Sequence, residues 1–167
     1  VDGRIIARTA FPVTLLGNLF SDPATGERYY NGVDLLPGRQ PYLSGSEFPG
    51  GRIINGGPNT VNPAFILPVG TNPGDAPRNS VRGFNAVQTN LSLRREMPLY
   101  YERVHLQFEV ESFNLLNHPN FGYIDPSLSD ELFGQATKML NQSFGPSGSL
   151  YQQGGPRSVQ FSFKIAF

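Results

Sequence analysis

The stretch RSVQFSFKIAF, Arg157 to Phe167, decides how this chain is read. Side chains of an extended strand alternate between two sides with period two. Val159, Phe161, Phe163, Ile165 and Phe167 therefore share one side, while Ser158, Gln160, Ser162, Lys164 and Ala166 share the other. One side is oily along its whole length and the other is mostly polar.

Three more stretches carry the same alternation. ERVHLQFEVES puts Val104, Leu106, Phe108 and Val110 opposite His105, Gln107, Glu109 and Glu111. NAVQTNLSLRR puts Val87, Thr89, Leu91 and Leu93 opposite Gln88, Asn90, Ser92 and Arg94. GRIIARTAF is less regular: Ile5, Ala7, Thr9 and Phe11 oppose Arg4, Ile6, Arg8 and Ala10, with Ile6 interrupting the polar side. The expected strands are 3–11, 85–94, 102–113 and 157–167. At about 9–11 residues each they match a tilted crossing of a bilayer, whereas strands of soluble domains run to about 5–6.

The connections give the next step. A short turn is expected around REMPLYY, with Pro98 as turn former, while residues 12–84 and 114–156 form two long loops. Outer-membrane barrels have short periplasmic turns and long outer loops, and the long, short, long order fits that asymmetry with the C-terminus inside. The fold class is therefore all-β: the C-terminal antiparallel strands of a transmembrane β-barrel with long extracellular loops. In that frame Gln88, Asn90, Ser92, Arg94, His105, Gln107, Glu109, Glu111, Gln160, Ser162 and Lys164 face the lumen. Val87, Leu91, Leu93, Val104, Leu106, Phe108, Val110, Val159, Phe161, Phe163 and Ile165 face lipid. Tyr100 and Phe167 are expected at the inner rim and Phe11 at the outer rim, as parts of an aromatic girdle. Phe84 and Phe113 also fall at outer ends, but alternation turns them inward, which calls for a bulge or a loop role.

Composition narrows the function. Thirteen basic and 13 acidic residues balance, without the basic patch that binding to nucleic acid requires. Cysteine is absent, so neither a disulfide frame nor a thiolate metal site is available. The longest apolar run, AFILPV at Ala64 to Val69, is far too short for a spanning helix and is broken by Pro68. The first residues show no leader pattern and already read as strand, which suggests a piece of a longer chain. Nineteen Gly and 15 Pro supply abundant turn material, in pieces such as SDPATGERYYNG, LPGRQP, FPGGRIINGGPN, NPGDAPRN and FGPSGS, all read as surface loop with local turns. Within the second loop, Ser127 to Leu140 also suits a short helix, with Leu128, Leu132, Phe133, Ala136 and Leu140 on one side.

The run from Asn62 to Met97, then LQFEVESFNLLNHPNFG, FGQAT and PRSVQFSFKIAF, together resemble the C-terminal part of Oar-like TonB-dependent outer-membrane receptors of the acidobacterial type. RNSVRGF (Arg78 to Phe84), FNLLNHPNFG (Phe113 to Gly122) and the closing PRSVQFSFKIAF are the most specific pieces, and residues before about Asn62 match loosely. The resemblance implies that all of 1–167 is the C-terminal portion of a TonB-dependent barrel. It implies uptake of a bulky solute, such as an oligosaccharide or peptide, through a plugged lumen. It also implies TonB as a partner through an N-terminal part outside these residues, often preceded by a carboxypeptidase-regulatory-like domain. Phe167, with apolar residues at every second position before it, would serve as the signal read by the barrel-assembly machinery.

No catalytic constellation stands out, and the chain is not read as an enzyme. His105 suits either a solute ligand or a solvated wall position, and His118 a loop-stabilising role, since no second ligand falls at metal spacing. No metal and no cofactor are expected. Glu109 and Glu111 share a face and are expected to pair with Arg94 or Lys164 across strands rather than to act as an acid and base. Neither a nucleophile elbow nor a P-loop order is present. Tyr29, Tyr30, Tyr42, Tyr123 and Tyr151 suit either contact with a sugar or peptide face or packing of the loops against one another. The competing class is a soluble or surface-attached all-β binding or adhesion module, in which the oily faces would pack as a sandwich core.

Overall fold

The computed structural model describes residues 1–58, 60–100, 104–143 and 153–167. The first two residues of the expected strand 102–113, the FGPSGS loop, Tyr151 and the Tyr100 side chain lie outside the described residues. In chain order the strands are β1 (Asp2–Arg8), β2 (Pro12–Val13), β3 (Leu19–Ser21), β4 (Arg28–Tyr30), β5 (Asp34–Leu35) and β6 (Tyr42–Ser44). They continue with β7 (Arg52–Ile54), β8 (Phe65–Ile66), β9 (Val81–Arg82), β10 (Ala86–Tyr100), β11 (Val104–Phe113) and β12 (Ser158–Ala166). Two compact units result: Val1–Thr9, Asn85–Asn120 and Met139–Phe167 form one, and Ala10–Phe84 with Phe121–Lys138 form the other.

The first unit is a four-stranded antiparallel sheet in the order β1-β10-β11-β12. Its register follows the alternation, because a one-residue slip would throw every apolar side chain to the wrong side. Leu93 stands opposite Val110, which stands opposite Phe161; Met97, Leu106 and Ile165 form another such row. On the reverse side Ser92, Glu111 and Gln160 make one row, and Glu96, Gln107 and Lys164 another.

Strand bounds differ from expectation in instructive ways. β10 runs on to Tyr100, so the REMPLYY segment through Tyr100 is strand rather than turn. The alternation continues there, with Glu96 on the polar face and Met97 on the apolar one, and Pro98 is accommodated by a register shift between Pro98 and Tyr100. Arg95 is the exception on the apolar face, opposite Phe108; its long stem can lie along apolar surface while the head reaches water. β1 ends at Arg8, and Phe11 belongs to the other unit, where its carbonyl accepts from the Gly83 N–H at 2.8 Å. It is therefore not part of a strand girdle. Phe84 does have a loop role, packing on Phe121 with ring centroids 5.1 Å apart.

Asparagines fasten the end of the sheet. Asn114 and Asn117 adopt left-handed backbone, φ 51° for both, a conformation Asn tolerates better than other residues with a side chain. Asn114 is buried and donates from Nδ2 to the carbonyls of His118 and Gly155, both at 2.9 Å, while its Oδ1 accepts from the His118 N–H at 3.0 Å. Asn120, fully buried, accepts from the Val87 N–H at 2.8 Å, and Asn117 accepts from the Arg157 N–H at 3.3 Å. One short motif thus ties the approaches to β10, β11 and β12 together.

The second unit is where the expected surface loops turn out to hold a core. Of its four two-stranded sheets, β2-β9, β3-β4, β5-β8 and β6-β7, three supply Val13 and Val81, Phe65, and Tyr42 and Ile54 to a core completed by residues of the connecting segments. Leu15, Val33, Ile54, Ala64, Phe65, Val81, Ile124, Leu128 and Phe133 are buried together, with Val13, Tyr42, Ala76 and Phe84 packed against them. Asn55 acts as a polar hub inside: its carbonyl accepts from the N–H groups of Ala64 and Phe65, and its Nδ2 donates to the Gln40 carbonyl at 2.8 Å. Gly134, at φ 74°, lies against the Ile54 backbone so closely that a Cβ would come within 2.8 Å of the Ile54 nitrogen. The short helix that Ser127–Leu140 also suits, as the alternative to loop, does not form. Asp125 and Asp130 capture the backbone N–H groups of Ser127 and Leu132 in local turns, the alternative that competes with helix, and within this stretch α-helix begins only at Leu140, in the turn Leu140–Ser143.

Phe65→Ala should destabilise the second unit by about 3–5 kcal/mol. The effect should appear as faster limited proteolysis within 12–84 for the protein in detergent micelles; unchanged cleavage would mean that these residues share no core. Asn114→Ala removes the donor to the buried Gly155 carbonyl, while the His118 carbonyl keeps Asn120 Nδ2 at 3.3 Å, and should cost about 1–3 kcal/mol. Urea unfolding of the micellar protein should show the lower midpoint.

Candidate functional site

Two surfaces can do chemistry: the polar face of the four-stranded sheet and the exposed side of the second unit. On the sheet, cross-strand neighbours of an antiparallel pair share a face, so register alone sorts the residues. Gln88, Asn90, Ser92, Arg94, His105, Gln107, Glu109, Glu111, Gln160, Ser162 and Lys164 fall on one face, joined there by Asp2, Arg4 and Glu96. Val87, Leu91, Leu93, Val104, Leu106, Phe108, Val110, Val159, Phe161, Phe163 and Ile165 fall on the other.

The apolar face is open to its surroundings. Phe161, Phe163 and Ile165 are 62 %, 69 % and 60 % exposed, and no second sheet covers them as a sandwich would require. Phe108 lies between the two phenylalanines of β12, 5.0 Å from the Phe163 ring and 6.4 Å from the Phe161 ring, so the face presents a continuous aromatic patch.

The polar face is laced by hydrogen bonds rather than by the ion pairs expected for its glutamates. Arg94 stands opposite Glu109 in register, yet its guanidinium donates to Gln107 Oε1 at 2.7 Å. Glu109 instead accepts from the Ser92 hydroxyl at 3.1 Å, and Lys164 stands opposite Gln107. His105 Nδ1 is 3.7 Å from Glu96 Oε1, a partner that the extension of β10 through Pro98 places on the same face. A cavity of about 450 Å³ opens on this face between Asp2, Arg4, Asn90, Ser92, Glu111 and Gln160.

Gln88 departs from its expected role as a wall residue. It is 4 % exposed, donates to Asn90 Oδ1 at 2.8 Å and accepts from the Gly154 N–H at 2.6 Å. Asn90 in turn accepts from the Asn114 N–H at 3.0 Å. Both belong to the fastening of the sheet end. His118 lies in the same fastening, with Nδ1 3.3 Å from Asn120 Oδ1. Among the described residues no three His, Cys, Asp or Glu side chains gather as a metal-binding group.

The tyrosines differ in packing and exposure. Tyr42 packs: its hydroxyl accepts from the Arg82 N–H at 2.6 Å, and the Arg52 guanidinium sits 4.8 Å from its ring. Arg52 also donates to the Gly83 carbonyl, which holds the charge in place. Tyr29 and Tyr30 are 47 % and 50 % exposed, and Tyr123 is 45 % exposed with Lys138 Nζ 5.9 Å from its ring. Partial burial, then the charges of Asp125 and Asp130, pushes the Tyr123 phenol above its ordinary range, so it stays a neutral donor at physiological pH. In the hairpin ahead of these tyrosines, the Ala24 N–H and Thr25 hydroxyl donate to Asp22 and hold its carboxyl below the usual range.

No curated protein and no solved structure matches the chain. A family model described as outer membrane beta barrel domain matches residues 1–160. A match over nearly the whole length, on a sheet with one bare apolar face and one polar face, establishes that the chain belongs to the outer membrane beta-barrel domain family and resides in the outer membrane.

Proposed function

We propose that the protein forms part of the wall and outer loops of an Oar-like, TonB-dependent receptor that takes up a bulky solute, an oligosaccharide or peptide, through a plugged lumen. The observation that carries this reading is the separation of faces across β1, β10, β11 and β12. The apolar face suits contact with outer-membrane lipid, and the polar face suits a solvated lumen. Backbone groups in hydrocarbon must all be paired, so the open sides of β1 and β12 are where further barrel strands would join. The barrel-assembly machinery would read the β12 end with Phe167, and TonB would act through a segment beyond these residues.

One observation favours a second reading, a surface-attached binding or adhesion module: residues 10–84 and 121–138 have a core of their own and could hold a ligand without any transport. The two readings part on energy coupling. Cells with and without TonB, offered a labelled oligosaccharide ladder or a labelled peptide mixture, should bind the label equally, and only those with TonB should accumulate it. Binding with no TonB-dependent accumulation of either label would leave the adhesion reading in place.

The faces can be tested separately. Phe163→Arg places a charge near the middle of β12 on the lipid side and should cost about 2–4 kcal/mol of membrane stability, whereas Ser162→Arg, opposite Glu109, should insert normally. Heat-dependent gel mobility of outer-membrane fractions reports both; equal insertion of the two variants would reverse or remove the assignment.

A further inference from the structure

The second unit contains a cavity of about 570 Å³ whose lining includes Leu15, Tyr29, Tyr30, Asn31, Thr71 and Arg78. Its size lies within the range of about 300–1,000 Å³ usual for small-molecule sites. Its walls are braced on both sides. Tyr29 is backed by its cross-strand partner Phe20, with ring centroids 5.9 Å apart and planes inclined by 27°. Asn31 is buried and donates from Nδ2 to the Asn72 carbonyl at 2.9 Å. Next to Arg78, Asn79 takes the left-handed conformation at φ 59°, and its N–H donates to the Thr14 hydroxyl at 3.1 Å. The position of Arg78 is thus set by its neighbour while its own side chain stays exposed.

The chemistry of the lining narrows the ligand. Among the described lining residues Arg78 carries the only charge, so the cavity favours an anion. A single guanidinium matches a carboxylate in two-point contact, where a phosphate site commonly gathers several donors and cations. A half-exposed tyrosine with a rigid backing offers a flat apolar surface with a polar tip, the kind of platform on which the C–H face of a sugar ring stacks. Backbone groups along the walls are already engaged: the N–H groups of Leu16, Asn31, Gly32 and Ala76 donate to the carbonyls of Pro126, Asn18, Pro73 and Val33. A peptide adding itself as a strand would need such groups free.

We infer that this cavity is a subsite for an acidic sugar, with Tyr29 as the stacking platform and Arg78 as the carboxylate anchor. The inference deepens the uptake reading and rests on it for its biological meaning, but binding can be measured without transport. The protein in detergent micelles is titrated by calorimetry with trigalacturonic acid, with maltotriose as the neutral sugar and acetyl-trialanine as a peptide carrying one carboxylate. Trigalacturonic acid should bind and maltotriose should bind at least about 10-fold more weakly; Arg78→Gln should reduce affinity for the acid about 10-fold or more. Tyr29→Ala should weaken it several-fold, and Tyr29→Phe should restore most of the loss. Both positions are exposed, so heat-dependent gel mobility should remain that of the parent protein. Absence of trigalacturonate binding, unchanged affinity in both variants, or equal binding of acetyl-trialanine through the same residues would overturn the inference. Binding that depends on Tyr29 and Arg78 in cells that show no uptake would uphold the subsite and remove the transport reading instead.

Discussion

Every second side chain of β10, β11 and β12 is held to one side of the sheet, and the backbone ladder permits no intermediate setting. A shift of one residue between β11 and β12 would bring Ser162 and Lys164 to the apolar side and Phe161 and Phe163 to the polar side. A lysine in hydrocarbon costs about 2–4 kcal/mol at the bilayer centre, so where the apolar face meets lipid the wrong register is penalised by the surroundings as well as by the chain. The remaining features of the molecule either protect this register or use the polar face it creates.

The asparagine motif after β11 protects it. Backbone donors of Val87, ahead in the chain, and Arg157, far behind it, are bound by Asn120 and Asn117, two side chains of one short loop. Gln88 and Asn90 complete the arrangement from β10. Strands separated by long insertions are thereby fixed at one end, and the entropy of closing those insertions is met once, at a single cluster. The insertions need not be rigid for the register to hold, yet residues 10–84 and 121–138 do fold, around Ile54, Phe65 and Phe133. A folded unit can carry a shaped cavity, which a mobile loop cannot.

Much of the sheet was legible because period-two alternation is written locally. Val104 to Glu111 needs no distant information to declare two faces, and the facing sets for β10, β11 and β12 follow from it. Pro98 was misleading: its usual place in turns hid a bulge inside a longer strand, and with it the Glu96 partner of His105. The core of the second unit was illegible for a different reason. Ile54, Phe65 and Val81 come from strands of two or three residues and Leu15, Val33, Ala64, Ile124, Leu128 and Phe133 from connecting segments, so no period can show, and their partners lie far away in the chain. Leu128, Phe133, Ala136 and Leu140 do show a helical spacing, which Asp125, Asp130 and the tight approach of Gly134 to Ile54 override. The asparagines of FNLLNHPNFG were visible as a motif, but nothing in their spacing names Val87 or Gly155 as what they hold.

The bare face of β12 has a consequence before any membrane is reached. Val159, Phe161, Phe163 and Ile165 form a hydrophobic, aromatic-rich segment along an open strand edge, the combination that templates cross-strand stacking between copies of a chain. Lys164 interrupts that segment with one positive charge on the opposite face, as gatekeeper residues do in aggregation-prone strands. A surface suited to lipid is therefore a liability in water. A strand of this kind is open to self-association until its apolar face is covered.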